Sequence, residues 1–149
     1  MADGFLKHWF EGFERSLQIL DDENREIILK ECGKSCSTSY TRQIYMDEYE
    51  ASQCIEDFLC RLKTRFPEVD FRVIAKNEVI ELIYRFCACD LVKNGYISDP
   101  FLCECSRHSL LYNWGSVFGH DKVAVRLHQS ILEGYPYCKF TIHLEQAAL

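Results

Sequence analysis

The chain has 149 residues, 48 % hydrophobic and 13 % aromatic, with 17 basic and 23 acidic side chains and a net charge of −6. That is enough apolar material for one domain spanning residues 1–149, and no stretch approaches the roughly 20 apolar residues of a membrane span. The acidic balance speaks against a nucleic-acid partner, because phosphate contacts demand a basic surface and Arg61, Lys63 and Arg65 stand among Glu56, Asp57 and Glu68.

Taken in chain order, Phe5, Leu6, Trp9, Phe10, Phe13, Leu17 and Leu20 recur at threes and fours. They predict a helix from Gly4 to Leu20 with Asp3 as its N-cap. Asp21 or Asp22 is suited to cap a second helix carrying Ile27, Ile28 and Leu29 towards Cys32. Gly33 then reads as a stop, or as a turn between Cys32 and Cys36. A third helix is expected over about Asp47–Phe66, with Tyr49, Cys54, Phe58, Leu62 and Phe66 on one face and Pro67 ending it.

The period then changes to two. Phe71 and Val73, then Ile80, Leu82, Tyr84 and Phe86, predict a hairpin turning at Lys76-Asn77. A loop with Asn94-Gly95 and Asp99-Pro100 follows. Ser106–Phe118 reads as a helix closed by Gly119. Val123, Val125 and Leu127, then Cys138, Phe140, Ile142 and Leu144, predict a second hairpin with one buried face and one wet face. The expected fold class is therefore α+β: an antiparallel sheet of about four strands, made of two hairpins, packed against N-terminal helices and one inter-hairpin helix.

Cysteine usage is the most informative feature. Six of the nine cysteines form three short pairs: Cys32/Cys36, Cys87/Cys89 and Cys103/Cys105. The start MADGFLKHWFEGFERS has no signal-peptide pattern, so a cytoplasmic location is expected. Thiols stay reduced there, and clustered cysteines then suggest metal binding or redox chemistry rather than a disulfide framework. In an extended C-x-C both sulfurs face one side, and in a helical C-x-x-x-C both lie on one face, so each pair is a two-toothed chelator. The loop between Cys89 and Cys103 is long enough to bring the two C-x-C pairs together. Four thiolates suit zinc, or alternatively an iron–sulfur cluster, and Cys32/Cys36 raises the candidates to six. Redox-active thiols and plain packing remain open alternatives, and Cys54, Cys60 and Cys138 read as small core residues.

The segments CGKSC, YRFCACDLV, FLCECSRHSLLYNWGSVFG and VAVRLHQSILEGYPYCKFTIHL, covering about Cys32 to Leu144, resemble a group of uncharacterised bacterial cysteine-rich domains. These are related to L-2-amino-thiazoline-4-carboxylic acid hydrolase-like proteins and, more distantly, to 4-vinyl-reductase-type ligand-binding domains. Gly134, Cys138, Phe140 and Ile142 match the ending typical of that group. The resemblance implies an α+β sheet–helix sandwich, an apolar pocket and small-molecule sensing. It marks the six paired cysteines as site residues but supplies no hydrolytic set.

Among the histidines, His108 is suited to ligate a metal or lower a nearby thiol's pKa, and equally to be an exposed helix residue. His128 and His143 fall on polar strand faces, and His120 falls in a turn. Glu104 would act as a base only beside an open metal site. Three function classes follow. One is a metal-binding module with a small-molecule ligand in an apolar pocket lined by Trp9, Phe10, Phe13, Tyr84 and Trp114. The second is a hydrolase or reductase using an open metal site or reactive thiolate, and the third a metal-free thiol redox sensor. The first is preferred, and assembly into a homodimer is left open.

Overall fold

The computed structural model describes residues 2–145. Helix α1 (Ala2–Ile19) and helix α2 (Asp22–Cys36) are separated by Leu20 and Asp21, and the Asp21 side chain accepts from the Asn24 N–H and caps α2. Because α1 begins at Ala2, Asp3 lies within its first turn and is not its cap. Helix α2 does not stop at Gly33. It runs through to Cys36, continues in one π-helical turn over Ser37–Thr41, and passes into α3 (Arg42–Ala51). The buried Ser37 and the half-buried Thr41 both bond Asn113 Oδ1, the latter at 3.1 Å.

The expected third helix is divided in two. Ser52 closes α3 in an extended conformation, and α4 (Ile55–Arg65) starts afresh with Cys54 as its N-cap. The Cys54 sulfur accepts from the Asp57 N–H at 3.4 Å. Cys54 is therefore exposed at a helix start, and Cys60 is exposed too; neither packs in the core, while Cys138 does.

Strands β1 (Val69–Ala75), β2 (Val79–Tyr84), β3 (Val123–Gln129) and β4 (Cys138–Leu144) form one antiparallel sheet in the order β1-β2-β4-β3. Asn77, at φ 59°, supplies the left-handed residue that the first turn needs. The fold is thus the α+β class expected, with two hairpins joined through β2 and β4. Between the hairpins lie the short helix α5 (Asp90–Lys93) and helix α6 (Leu102–Phe118), which starts four residues before the expected Ser106.

One sheet face carries Ile80, Leu82, Phe140 and Ile142 against the aromatics Tyr45, Phe58 and Trp114 from α3, α4 and α6. Trp114 is fully buried, stacked on Phe118 at 5.8 Å and edge-on to Tyr45 and Phe58. The other face carries a cross-strand polar ladder in which Glu81 meets Arg72 at 2.8 Å and Lys139 at 3.3 Å. Thr141, beside Glu81, bonds both His128 and His143. Those two histidines stand on the polar face as expected, but tied to the sheet rather than freely solvated. Among the described residues, no helix is long and apolar enough to cross a membrane.

Candidate functional site

The site is built where α2 crosses the first turns of α6. Gly33 makes the crossing close: a Cβ placed on it would stand 2.5 Å from the Cys105 carbonyl oxygen, 2.7 Å from His108 Cβ and 2.9 Å from the Ser109 nitrogen. In C-G-K-S-C the glycine is thus the notch that seats α2 on the α6 backbone, which is why the helix continues through it. Cys32 and Cys36 flank this notch at the Cys105 level.

The Cys103/Cys105 pair is not extended. Cys103 and Cys105 sit in the first turns of α6, where residues two apart project to nearly opposite sides. Cys103 is buried and shares a hydrogen bond with the Ser130 side chain, whereas Cys105 is half-buried. Cys87 and Cys89 lie beyond the end of β2, in the irregular segment leading into α5, and Cys89 occupies the N-cap position of that helix. The expectation that each pair presents two sulfurs on one side therefore fails for Cys103/Cys105. The thiols that act on Cys105 are Cys36, Cys32, Cys89 and Cys103; those that act on Cys103 are Cys138 and Cys87.

All nine cysteines are free. Burial pushes the Cys105 thiol up to about 12, and the surrounding thiols Cys36, Cys32, Cys89 and Cys103 add to the shift because each would repel a thiolate there. Burial pushes Cys103 up to about 11, opposed by a hydrogen bond with the Ser130 side chain and reinforced by Cys138, Cys87 and Glu133. Cys87 is also raised, by burial first, with the Cys89 backbone N–H working the other way. Cys32 is raised by burial and by Glu31. Cys138, whose sulfur accepts from the Ile131 N–H at 3.3 Å, is raised mainly by burial.

One group of side chains was not legible as a unit in the sequence. Glu26 on α2 and Glu104, Arg107 and His108 on α6 meet beside the Gly33 crossing. His108 is buried, not an exposed helix residue, and its Nε2 is 2.7 Å from Glu26 Oε1. A carboxylate only accepts, so this nitrogen carries the proton. Arg107 Nε donates to Glu104 at 2.6 Å and its amino group to Glu26 at 3.1 Å. Glu104 is therefore paired and is not a free base. Burial holds the His108 imidazole below its ordinary pKa, with Arg107 pushing the same way and Glu26 opposing. The available signal was periodicity: Glu26, Leu29 and Gly33 fall on one α2 face, and that face meets α6.

A cleft of about 370 Å³ opens beside this group, with Leu29, Phe101 and Leu127 among its apolar walls and Glu26, Glu104 and Glu133 among its acids. Arg25, also in the wall, stacks on Phe101 at 3.8 Å and donates to the Leu17 and Leu20 carbonyls. None of the five aromatics expected to line a pocket borders it. Trp114 is spent on the core, Tyr84 packs on Phe140, and Trp9 stacks on Phe13 along α1.

Among the described residues, the only set of three or more metal-donor atoms within 4.8 Å of one another is Glu26, Glu104 and His108. No three cysteine sulfurs among the described residues meet that limit. No protein-family model matches the chain, and no curated protein matches it.

Proposed function

We propose that this chain is a metal-binding module whose thiol site consists of Cys105, Cys32, Cys36 and Cys89, taking zinc or, alternatively, an iron–sulfur cluster, and reporting on a small-molecule ligand. The observation that carries this reading is the set of thiols from α2 and the 87–89 segment that act on Cys105. Thiols from two other segments, Cys36 and Cys32 on α2 and Cys89 before α5, act electrostatically on the Cys105 thiol, and Gly33 lets α2 sit on the α6 backbone beside it. Plain packing has no need of such a set, since Cys32 and Cys36 are exposed. Four thiolates suit zinc or an iron–sulfur cluster, which would hold α2, the 87–89 segment and α6 together.

The raised thiol pKa values favour this reading over a reactive thiolate. A nucleophilic cysteine needs a stabilised thiolate near neutral pH, whereas Cys103 and Cys105 keep their protons to about 11 and about 12. A divalent cation reverses the cost, because it turns mutual thiolate repulsion into attraction to a shared centre. Binding then releases protons and strengthens as pH rises.

Elemental analysis of untagged protein purified without oxygen tests the proposal. About one zinc per chain is expected in the parent, lost in Cys105→Ser and in Cys36→Ser but retained in Cys60→Ser. Iron with sulfide at the same cysteines would keep the site and change its chemistry. A metal-free parent, or a Cys105→Ser protein with full metal content, ends the thiol-site reading.

A further inference from the structure

The group formed by Glu26, Glu104, Arg107 and His108 is not used by the thiol site. Its three donor atoms, one oxygen from each carboxylate and one imidazole nitrogen, lie within 4.8 Å of one another. His108 is 6 % exposed, so one of the three is fixed in the protein interior, while Glu26 and Glu104 border the cleft of about 370 Å³. At present the charge among them is supplied by Arg107. Its amino group stands 3.1 Å from both Glu26 Oε1 and His108 Nε2, and its Nε stands 2.6 Å from Glu104 Oε2.

Two features show that the guanidinium does not satisfy these donors fully. One positive charge faces two carboxylates, leaving the group net negative with a neutral imidazole. The contact with His108 also joins two nitrogens that both carry protons, since Nε2 is committed to Glu26. A divalent ion in the same place would balance both carboxylates and use the imidazole nitrogen as a ligand, with the ring proton moved to Nδ1. The Arg107 side chain is 22 % exposed, so its head keeps a route to water.

We propose that Glu26, Glu104 and His108 form a second metal site, for a hard or borderline divalent ion of the manganese class, which Arg107 occupies as a resident cation until the metal displaces it. Two carboxylates and one imidazole favour such an ion over the soft metals that thiolates select. Three protein ligands leave coordination positions open, and the carboxylates turn that open side to the cleft. The inference stands whether or not the cysteines hold metal.

Mn²⁺ alone is the probe, followed by the loss of the free-ion signal in electron paramagnetic resonance and by broadening of histidine ring resonances. In the parent chain, Mn²⁺ is expected to broaden His108 before the exposed His8, which also has a glutamate neighbour. Arg107→Ala is expected to bind Mn²⁺ about tenfold or more tightly, because a competing positive charge leaves the site. Adding His108→Ala or Glu26→Gln to Arg107→Ala is expected to abolish that gain, and Arg107→Lys is expected to keep the parent's weak binding. Arg107→Gln serves in place of Arg107→Ala if circular dichroism shows the alanine variant unfolded. If His108 broadens no earlier than His8 in the parent, or the gain on removing Arg107 survives loss of His108, the group is a structural ion-pair cluster and the proposal falls.

Discussion

Gly33 shows how a single residue sets the site. In the sequence it reads as a helix stop, which is the commonest meaning of a glycine near the end of an apolar-periodic segment. The competing meaning, close approach of two backbones, is invisible without the partner helix. Replacing Gly33 by Ala isolates the difference. On helix propensity alone the change would stabilise by about 1 kcal/mol. The added Cβ, however, meets backbone atoms of α6 at 2.5 and 2.9 Å, which no side-chain rotation relieves. Gly33→Ala is therefore expected to cost about 1–3 kcal/mol net, read as a lower denaturant midpoint, and to lower metal content with it. An unchanged or higher midpoint would mean that α2 and α6 are farther apart than described. The cysteines followed the same pattern of legibility. Their identity as candidates was readable from spacing, but their grouping was not, because the geometry of C-x-C depends on whether the segment is strand or helix. Cys103/Cys105 proved helical, so its two side chains leave the helix on different sides.

At the scale of elements, the hairpins were the clearest reading because a period of two, once one face is buried, admits only one register. The helices were read as amphipathic segments, but their boundaries moved. The expected helix over Asp47–Phe66 breaks at Ser52–Cys54, where no proline or glycine marks a break. Cysteine is an uncommon N-cap, and the place of Cys54 on the apolar face at helical spacing masks that role. The cap itself makes a prediction. The Cys54 sulfur receives the Asp57 N–H at 3.4 Å, and a hydroxyl is the better acceptor at this position. Cys54→Ser is expected to stabilise the protein by a few tenths to about 1 kcal/mol, and Cys54→Ala to destabilise it, measured by thermal unfolding. Metal content should be the same in both. If Ser and Ala behave alike, the sulfur is not acting as a cap. The π-helical turn after Cys36 had no signal in the sequence either. Ser37 and Thr41 bond Asn113, a side chain 70-odd residues away that reveals nothing of this until the fold is known.

At the scale of the whole molecule, the buried acids with raised pKa values make stability depend on pH in a defined window. Cys103 and Cys105 titrate near 9 when unfolded and at about 11 and about 12 when folded. Burial, the main cause in each case, also raises the phenols of Tyr45 and Tyr84. Between the unfolded and folded values the native state holds more protons than the unfolded chain, so stability must fall as pH rises. Below pH 9 the contribution is fully present; above it, each thiol withdraws up to about 1.4 kcal/mol per pH unit until its folded pKa is reached. Urea unfolding of the reduced, metal-free chain at pH 8, 9.5 and 10.5 should therefore show a monotonic loss, weakened in Cys105→Ser. The zinc-loaded chain should behave differently. Thiols bound to metal have already lost their protons in the folded state, so those in the metal site hold fewer protons than the unfolded chain, and their contribution to stability rises with pH up to about 9 and then levels off. Two curves that part steadily as pH rises, with the loaded protein holding its stability better, would tie the thiols around Cys105 to metal. Curves that fall together would mean that the Cys105 thiol keeps its proton in the folded chain and holds no metal.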